Sequence, residues 1–223
     1  MNRNSTPWDR KQHYFLTHAL NLTTENQRLE YLLYKFLRHN QFESFLEIGC
    51  AAGALFGILK RMYGRFIEDI YFGIDIASNN ITMAQLLFPG AWFKWMDITG
   101  YKFVQDYDII YSSEVLPHLT LKNQKPIIKA FIIHAKKLSL FSLKFSDIEP
   151  LEHKLTIKEL DSYYTFPNSE DISAFIKRVA GDGKEVKLYK TYGYNKSFIK
   201  GTKFHGKTGN LSVQITNKEA IIA

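Results

Sequence analysis

Residues 45–54 limit the fold of this chain more than any other stretch of its sequence. A short apolar run, Phe-Leu-Glu-Ile, is followed by the turn Gly-Cys-Ala-Ala-Gly. The run predicts a buried strand, and residues 54–63 predict a helix that ends near Gly64. A strand, a glycine turn and a helix in this order begin a βαβ unit.

The same alternation continues along the chain. Strands are predicted at residues 70–74, 92–96, 107–111 and 138–143, and helices at 78–88 and 127–135. Strands that alternate with helices imply a mostly parallel sheet covered on both faces. The tail differs, because strands predicted at 186–194 and 211–216 are joined only by loop and should pair antiparallel. Leucines at helical spacing between residues 29 and 37 predict an N-terminal helix.

Composition excludes several classes of protein. The chain has 223 residues, which suits one domain with one core. Its single cysteine, Cys50, excludes an intrachain disulfide and a thiolate zinc site, and we predict no metal. No signal peptide and no run of about 18 apolar residues is present, so we expect a cytoplasmic protein that spans no membrane.

The net charge of +7 leaves an anionic partner such as nucleic acid open. Because no run of five or six basic residues occurs, solubility is the favoured explanation of the charge. Nucleic acid is therefore an alternative partner that is not favoured.

Carboxylates follow the predicted strands. Glu47 lies in the first strand, Asp75 ends the second, Asp97 ends the third and Glu114 follows the fourth. Ligands of open α/β sheets bind at the carboxyl ends of the strands. There Asp75 can accept hydrogen bonds from ribose hydroxyls, and Asp97 can accept from an amine such as that of adenine. We therefore expect a nucleoside to lie across this edge.

The glycine spacing argues against phosphate ligands. The turn has glycine at positions 49 and 53 and alanine at 51, whereas the dinucleotide fingerprint has its last glycine one position later. An acid at position 47 also suits a pyrophosphate poorly. No P-loop and no G-x-S-x-G elbow occurs, and an NAD-type oxidoreductase is a distant alternative.

Several segments resemble motifs of the class I S-adenosylmethionine-dependent methyltransferases. The run Phe45-Leu-Glu-Ile-Gly-Cys-Ala-Ala-Gly-Ala54 looks like their first motif, except that Ala51 replaces a usual glycine. Gly73-Ile-Asp-Ile76 is similar to their ribose-binding strand end, and Trp95-Met-Asp-Ile98 to their adenine-contacting position. Residues 107–119 resemble the fourth motif of the branch that acts on small molecules, sugars and lipids.

The resemblance implies a Rossmann-like α/β fold. We expect a doubly wound seven-stranded sheet, mostly parallel with an antiparallel last strand, and an N-terminal helical extension. Residues 1–43 would form a helical cap and residues 44–223 the methyltransferase domain, packed together as one unit. The resemblance also implies S-adenosylmethionine as cofactor.

Cofactor-binding residues carry over from the motifs. The turn would hold the methionine part of the cofactor, with Glu47 supporting the turn or the ammonium group. The implied set is Glu47, Gly49, Cys50, Ala51, Gly53, Asp75, Ile76, Met96, Asp97, Ile98, Ser112, Ser113 and Glu114.

The sequence says less about the residues that bind and activate the methyl acceptor. His118 is the candidate general base, since it follows the fourth strand and titrates near neutrality. Its alternative is a structural histidine in a turn, and Pro117 beside it could break a short helical turn over the substrate. Candidate substrate-binding residues are Tyr14, His18, Asp147 and Tyr164, with packing or surface roles as alternatives.

The predicted function is methyl transfer to an oxygen, or less favourably a nitrogen, of a small molecule such as a sugar or a biosynthetic intermediate. An RNA ribose or other nucleic-acid methyltransferase is one alternative. The motif of base-amine methyltransferases is absent after the fourth strand, which disfavours that subclass. A cofactor-binding module without transfer activity is the other alternative. Oligomeric state stays open.

Overall fold

The structure is a computed structural model, and it describes residues 24–147, 150–157, 160–192 and 208–218. The strands are β1 (Phe45–Ile48), β2 (Tyr71–Asp75), β3 (Trp92–Trp95), β4 (Tyr107–Ser112), β5 (Ala135–Ser146), β6 (Leu151–Ile157), β7 (Leu160–Phe166), β8 (Lys184–Tyr192) and β9 (Thr208–Asn217). The helices are α1 (Thr24–Leu37), α2 (Ala54–Tyr63), α3 (Phe66–Ile70), α4 (Ser78–Leu87), α5 (Leu121–His134) and α6 (Ser169–Ala180). Two short 3-10 turns lie at Ile98–Gly100 and Leu116–His118.

Seven strands form one sheet in the order β3-β2-β1-β4-β5-β9-β8. The first five pair in parallel, and β9 pairs antiparallel with both β5 and β8. This arrangement confirms the predicted Rossmann-like sheet with its antiparallel strand near the end of the chain. A separate antiparallel hairpin is made of β6 and β7.

Two apolar clusters cover the two faces of the sheet, because successive side chains of a strand point to opposite sides. Phe45 and Tyr71 belong to the cluster that contains residues of α1 and α2. Leu46 and Ile74 belong to the cluster that contains residues of α5 and α6. No helix in the described ranges is both long and apolar enough to cross a membrane.

Helix α3, the two strands of the β6–β7 hairpin and helix α6 were not predicted. In α6 the side chain of Asn168 accepts hydrogen bonds from the backbone amides of Glu170 and Asp171, an N-cap that the sequence could have revealed. Helix α5 also begins six residues earlier than predicted and contains Pro126. One proline removes one helical hydrogen bond, and burial of Phe131 and its apolar neighbours outweighs that loss.

The turn after β1 has an unusual backbone. Gly49, Ala51 and Gly53 have φ angles of 79°, 46° and 81°. At Gly49 a Cβ atom would also lie 2.1 Å from a methyl carbon of Val115. Both the positive φ and this close approach therefore require glycine at position 49. Ala51 adopts the left-handed conformation although its side chain disfavours it, which explains why glycine is usual at this position of the motif.

Replacing this alanine with glycine should therefore stabilise the protein. We expect Ala51→Gly to raise the free energy of unfolding by about 1 kcal/mol, because glycine removes the left-handed penalty. Ala52→Gly is the matched control, since Ala52 has no positive φ, and it should be neutral or destabilising. Urea denaturation of the three proteins measures the difference. Equal stability of the two variants would contradict the strain assigned to Ala51.

Candidate functional site

Parallel pairing places the loops after β1, β2, β3 and β4 at one edge of the sheet, which we call the carboxyl edge. β1 lies between β2 and β4, so the chain winds away from β1 in both directions. Such a point of reversal is where open α/β sheets bind ligands. The loops that contain most of the predicted cofactor-binding residues therefore lie at one edge of the sheet, at the expected place.

The carboxylate of Asp75 fastens two of these loops. Its Oδ2 accepts a hydrogen bond from the backbone amide of Ala51 at 2.9 Å, and its Oδ1 accepts one from that of Ala77 at 2.8 Å. The first bond holds the turn after β1, and the second shapes the entry into α4. A carboxylate accepts up to about four hydrogen bonds, so Asp75 can hold the loops and also accept from a ligand.

The loop after β3 lies beside Asp75. The backbone amide of Met96 donates to the carbonyl oxygen of Asp75 at 2.8 Å, and the Trp95 indole donates to the carbonyl of Ile76 at 2.9 Å. Asp97 is exposed, and its carboxylate accepts from the backbone amide of Thr99 at 2.8 Å. Ile98 is buried beneath this turn, so the loop presents Asp97 to solvent on an apolar support.

The loop after β4 contains an ion pair that the sequence did not predict. Glu114 has a left-handed φ of 56°, and its backbone amide donates to the Ser142 hydroxyl at 2.9 Å. That hydroxyl lies 3.3 Å from Glu114 Oε1, and the Lys144 ammonium lies 3.3 Å from Oε2. Lys144 is only 14% exposed. The network holds the Glu114 carboxylate at the carboxyl edge and neutralises it there.

The two serines before Glu114 differ in their surroundings. Ser112 is fully buried, and its hydroxyl has no hydrogen-bond partner among the described residues. The side chain of Ser113 forms a hydrogen bond with Tyr111. Of the two, Ser113 is the one that the structure leaves partly accessible.

Glu47 lies below the edge rather than on it. Its side chain is buried on the α1 face of the sheet and accepts a hydrogen bond from the Tyr71 hydroxyl. Burial raises the pKa of Glu47 to about 8, the Tyr71 hydrogen bond opposes that rise, and the carboxylates of Asp75 and Glu30 add to it. Burial and these charges therefore favour the protonated form of Glu47. Cys50 is also buried, and burial raises the pKa of its thiol.

Of the acceptor candidates, the structure brings His118 and Tyr164 into contact. The ring of His118, in the 3-10 turn after β4, packs edge-on against Tyr164 of β7 with their centroids 4.6 Å apart. Pro117 lies inside this turn without breaking it. Asp147 is exposed and accepts a hydrogen bond from Ser169 at 3.2 Å. Tyr14 and His18 lie outside the described residues.

A groove of about 990 Å³ lies mainly toward the other edge of the sheet. It is bordered by the amino ends of several strands and by the loop from β3 to β4, and it reaches Asp97 at one end. The loop has only a 3-10 turn where the other crossovers have a helix, so Phe72 and Trp92 line the groove. Because the predicted nucleoside site lies at the carboxyl edge, this groove is a separate feature of the surface.

Two residues that sequence reasoning missed, Lys144 and Tyr71, carry a polar group within or at the start of an apolar strand. Lys144 lies between Leu143 and Phe145, and Tyr71 begins β2. In a single sequence such a residue is equally consistent with an exposed face. Only the structure pairs Lys144 with Glu114 and Tyr71 with Glu47.

Comparisons with known proteins agree with this geometry. The family model for nodulation protein S (NodS) matches residues 18–133, about half of the chain. The comparison with curated protein sequences finds no match.

Solved structures of low sequence identity share the fold. The chain is similar to an S-adenosylmethionine-dependent methyltransferase from Clostridium acetobutylicum ATCC 824, with 12% identity, a TM-score of 0.62, and coverage of 95% of this chain and 99% of that one. It is similar to the N-terminal domain of EvdMO1 with SAH bound, with 11% identity, a TM-score of 0.64, and coverage of 98% and 100%. It also resembles coclaurine N-methyltransferase bound to N-methylheliamine and SAH, with 13% identity, a TM-score of 0.58, and coverage of 87% and 74%.

The burial of Glu47 generates a prediction about stability and pH. The folded-state pKa of about 8 lies above the ordinary value of 4.5. Between these values the folded protein holds a proton that the unfolded chain has lost, so stability falls as pH rises through this window. Glu47→Gln removes the titration and can still accept from Tyr71. We expect the variant to melt higher than the parent at pH 8, by roughly 5 °C, and to match it near pH 5.

The check is a series of thermal melts of both proteins between pH 5 and pH 8. A difference in melting temperature that stays constant across the series would show that Glu47 does not titrate in this window.

Proposed function

The chain belongs to the nodulation protein S (NodS) family of S-adenosylmethionine-dependent methyltransferases, and on this premise we propose that it methylates an oxygen of a small molecule such as a sugar. The observation that carries the proposal is the convergence of the glycine turn, Asp75 and Asp97 on one edge of the sheet, at its point of reversal. Neighbouring structures named for small-molecule methyltransferases support a small acceptor over nucleic acid.

The chemistry of the residues at the carboxyl edge fits S-adenosylmethionine. Asp75 offers a fixed carboxylate to ribose hydroxyls. The adenine would bind to Asp97 and to the backbone of Met96 and Ile98. The methionine part of the cofactor would bind to the turn at residues 49–53. Ser113 and Glu114 would line the site near the sulfonium. Solved neighbours contain SAM or SAH, which supports the same ligand here.

When bound, the cofactor supplies a methyl group on a good leaving group, so positioning of the acceptor can contribute most of the catalysis. An acceptor hydroxyl keeps its proton until attack and therefore needs a base. His118 lies in the 3-10 turn after β4, and its ring packs against Tyr164. We propose that His118 accepts this proton and that Tyr164 orients the ring.

Nitrogen is the second candidate acceptor atom. Two of the neighbouring proteins are named as N-methyltransferases, of phosphoethanolamine and of coclaurine. Glu114, a carboxylate at the carboxyl edge, could hold an amine.

A screen with methyl-labelled S-adenosylmethionine against hydroxyl-bearing and amine-bearing sugars distinguishes oxygen from nitrogen as the acceptor atom. Label that enters only amines would replace oxygen by nitrogen, and label that enters RNA alone would overturn the small-molecule proposal.

Asp75→Ala should weaken the binding of S-adenosylmethionine by about 1–3 kcal/mol, because the variant loses hydrogen bonds to a charged acceptor. Calorimetric titration measures the affinity. Asp106→Ala is the matched control, since Asp106 is exposed before β4 and pairs with His134 in an exposed contact. Unchanged affinity in the Asp75 variant would refute the ribose assignment.

His118→Asn should slow methyl transfer by about 10²-fold at neutral pH, because the acceptor loses its base. The dissociation constant of the cofactor should stay as in the parent protein. His134→Asn is the control, because His134 lies at the end of α5 beside Asp106, at the amino edge of the sheet. Equal rates for the two histidine variants, measured with the acceptor found in the screen, would leave His118 with a structural role only.

A further inference from the structure

Three paired residues form a polar row across the sheet where β5, β9 and β8 meet the carboxyl edge. Lys144 of β5 is paired with Asn210 of β9, and Asn210 is paired with Thr191 of β8. Leu140 belongs to the apolar cluster on the α1 face and Leu211 to the cluster on the opposite face. Because side chains alternate along a strand, Lys144 and Asn210 both point to the α1 face.

Arg28 of α1 lies at the far end of this row. Its guanidinium donates a hydrogen bond to the Thr191 hydroxyl at 2.7 Å, so Thr191 also points to the α1 face. Among the residues that the structure describes, no acid forms an ion pair with Arg28. Residues 193–207, which join β8 to β9, contain four lysines and no acid. Arg28 therefore has a positive charge that no described acid balances.

The row is rich in hydrogen-bond donors and positive charge. Lys144 shares its charge with the carboxylate of Glu114, 3.3 Å away, whereas Arg28 has only the neutral Thr191 hydroxyl. An arginine side chain has several N–H donors, and a hydroxyl that accepts one hydrogen bond can still donate its own proton. Such a set of donors suits an oxyanion, because carboxylates and phosphates bind a guanidinium through two parallel hydrogen bonds.

The order of the strands separates this row from the expected cofactor site. β8 is four strands from β1, so Thr191 lies roughly 19 Å from the turn that would hold the methionine part of the cofactor. β9 is two strands from β4, so Asn210 lies roughly 10 Å from the loop where the methyl group would be transferred. The row is thus too far away for the cofactor's own carboxylate and within reach of an acceptor molecule.

We propose that the methyl acceptor is a small acid whose carboxylate or phosphate binds Arg28 and Thr191, with Lys144 beside it. The inference rests on the proposed function. The acid group lies over β9 and β8, and the hydroxyl that takes the methyl group lies at the loop after β4, near Glu114. These two groups of the acceptor are therefore roughly 10 Å apart. A neutral acceptor would leave the charge of Arg28 without a partner and would bind more weakly.

The experiment uses the full chain saturated with S-adenosylhomocysteine, so that the carboxylate of the cofactor is already bound. The probes are glucose 6-phosphate, glucuronate and glucose, which share one sugar ring and differ in the group at its sixth carbon. Ligand-observed NMR gives the dissociation constant of each probe. We expect an acidic probe to bind about tenfold more tightly than glucose, because hydrogen bonds to charged groups are the stronger ones. The tighter of the two acids identifies the acid group.

Arg28→Gln should weaken the binding of that acid about tenfold and leave the affinity for S-adenosylhomocysteine unchanged, which shows that the variant is folded. Arg28→Lys keeps the charge but loses the paired donors, so it should recover only part of the affinity. Arg38→Gln is the matched control. It removes the same charge just beyond the other end of α1, where Arg38 is exposed, and acid binding should stay as in the parent protein.

No preference for either acid over glucose, or an equal loss of acid binding in Arg28→Gln and Arg38→Gln, overturns the inference while cofactor binding stands. A parent protein that does not bind S-adenosylhomocysteine would instead overturn the proposed function itself.

Discussion

The two hydrogen bonds that Asp75 accepts from backbone amides organise the carboxyl edge. One bond reaches back to Ala51 in the turn after β1, and the other reaches forward to Ala77 before α4. Charge-assisted hydrogen bonds of this kind are stronger than neutral ones. They help to hold Ala51 in a left-handed conformation that its side chain disfavours. The hydrogen bond to Ala51 thus both holds the strained turn and fixes the position of the Asp75 carboxylate.

Close approach of the loops at the point of reversal is the second constraint. Gly49 lies against Val115, so the turn after β1 and the loop after β4 touch directly. Glu114, next to Val115, is itself in a left-handed conformation and is held by Ser142 and Lys144. Strained residues on both sides of the reversal are typical of a site where geometry matters more than local stability.

Burial of Glu47 has a cost in stability. A neutral residue at this position would avoid the loss of stability with rising pH that the raised pKa of Glu47 causes. Solved structures with 10–13% identity cover most of this chain. At that distance the sheet and its edge are shared.

The sequence by itself determined the order of the central elements and the residues that end the strands. Apolar residues that recur every 2 or 3.6 positions, and glycines between such runs, are local signals. They were enough to predict β1, α2 and the positions of Asp75 and Asp97 at strand ends. Parallel pairing then required those strand ends to share one edge. The resemblance of short motifs added the cofactor and the seven-stranded sheet, which the structure and the family match bear out.

Only the tertiary structure decided the environment of each side chain. Glu47, Asp75 and Glu114 are all acids in or after the predicted strands, yet Glu47 is buried with a raised pKa, Asp75 accepts from two backbone amides, and Glu114 is paired with Lys144. The β6–β7 hairpin and the packing of Tyr164 on His118 were equally hidden. A local sequence pattern cannot reveal such contacts, because the residues that bury a side chain or pair with its charge are distant from it in the chain. Burial and charge partners in turn set the pKa of an acidic side chain and what it can bind.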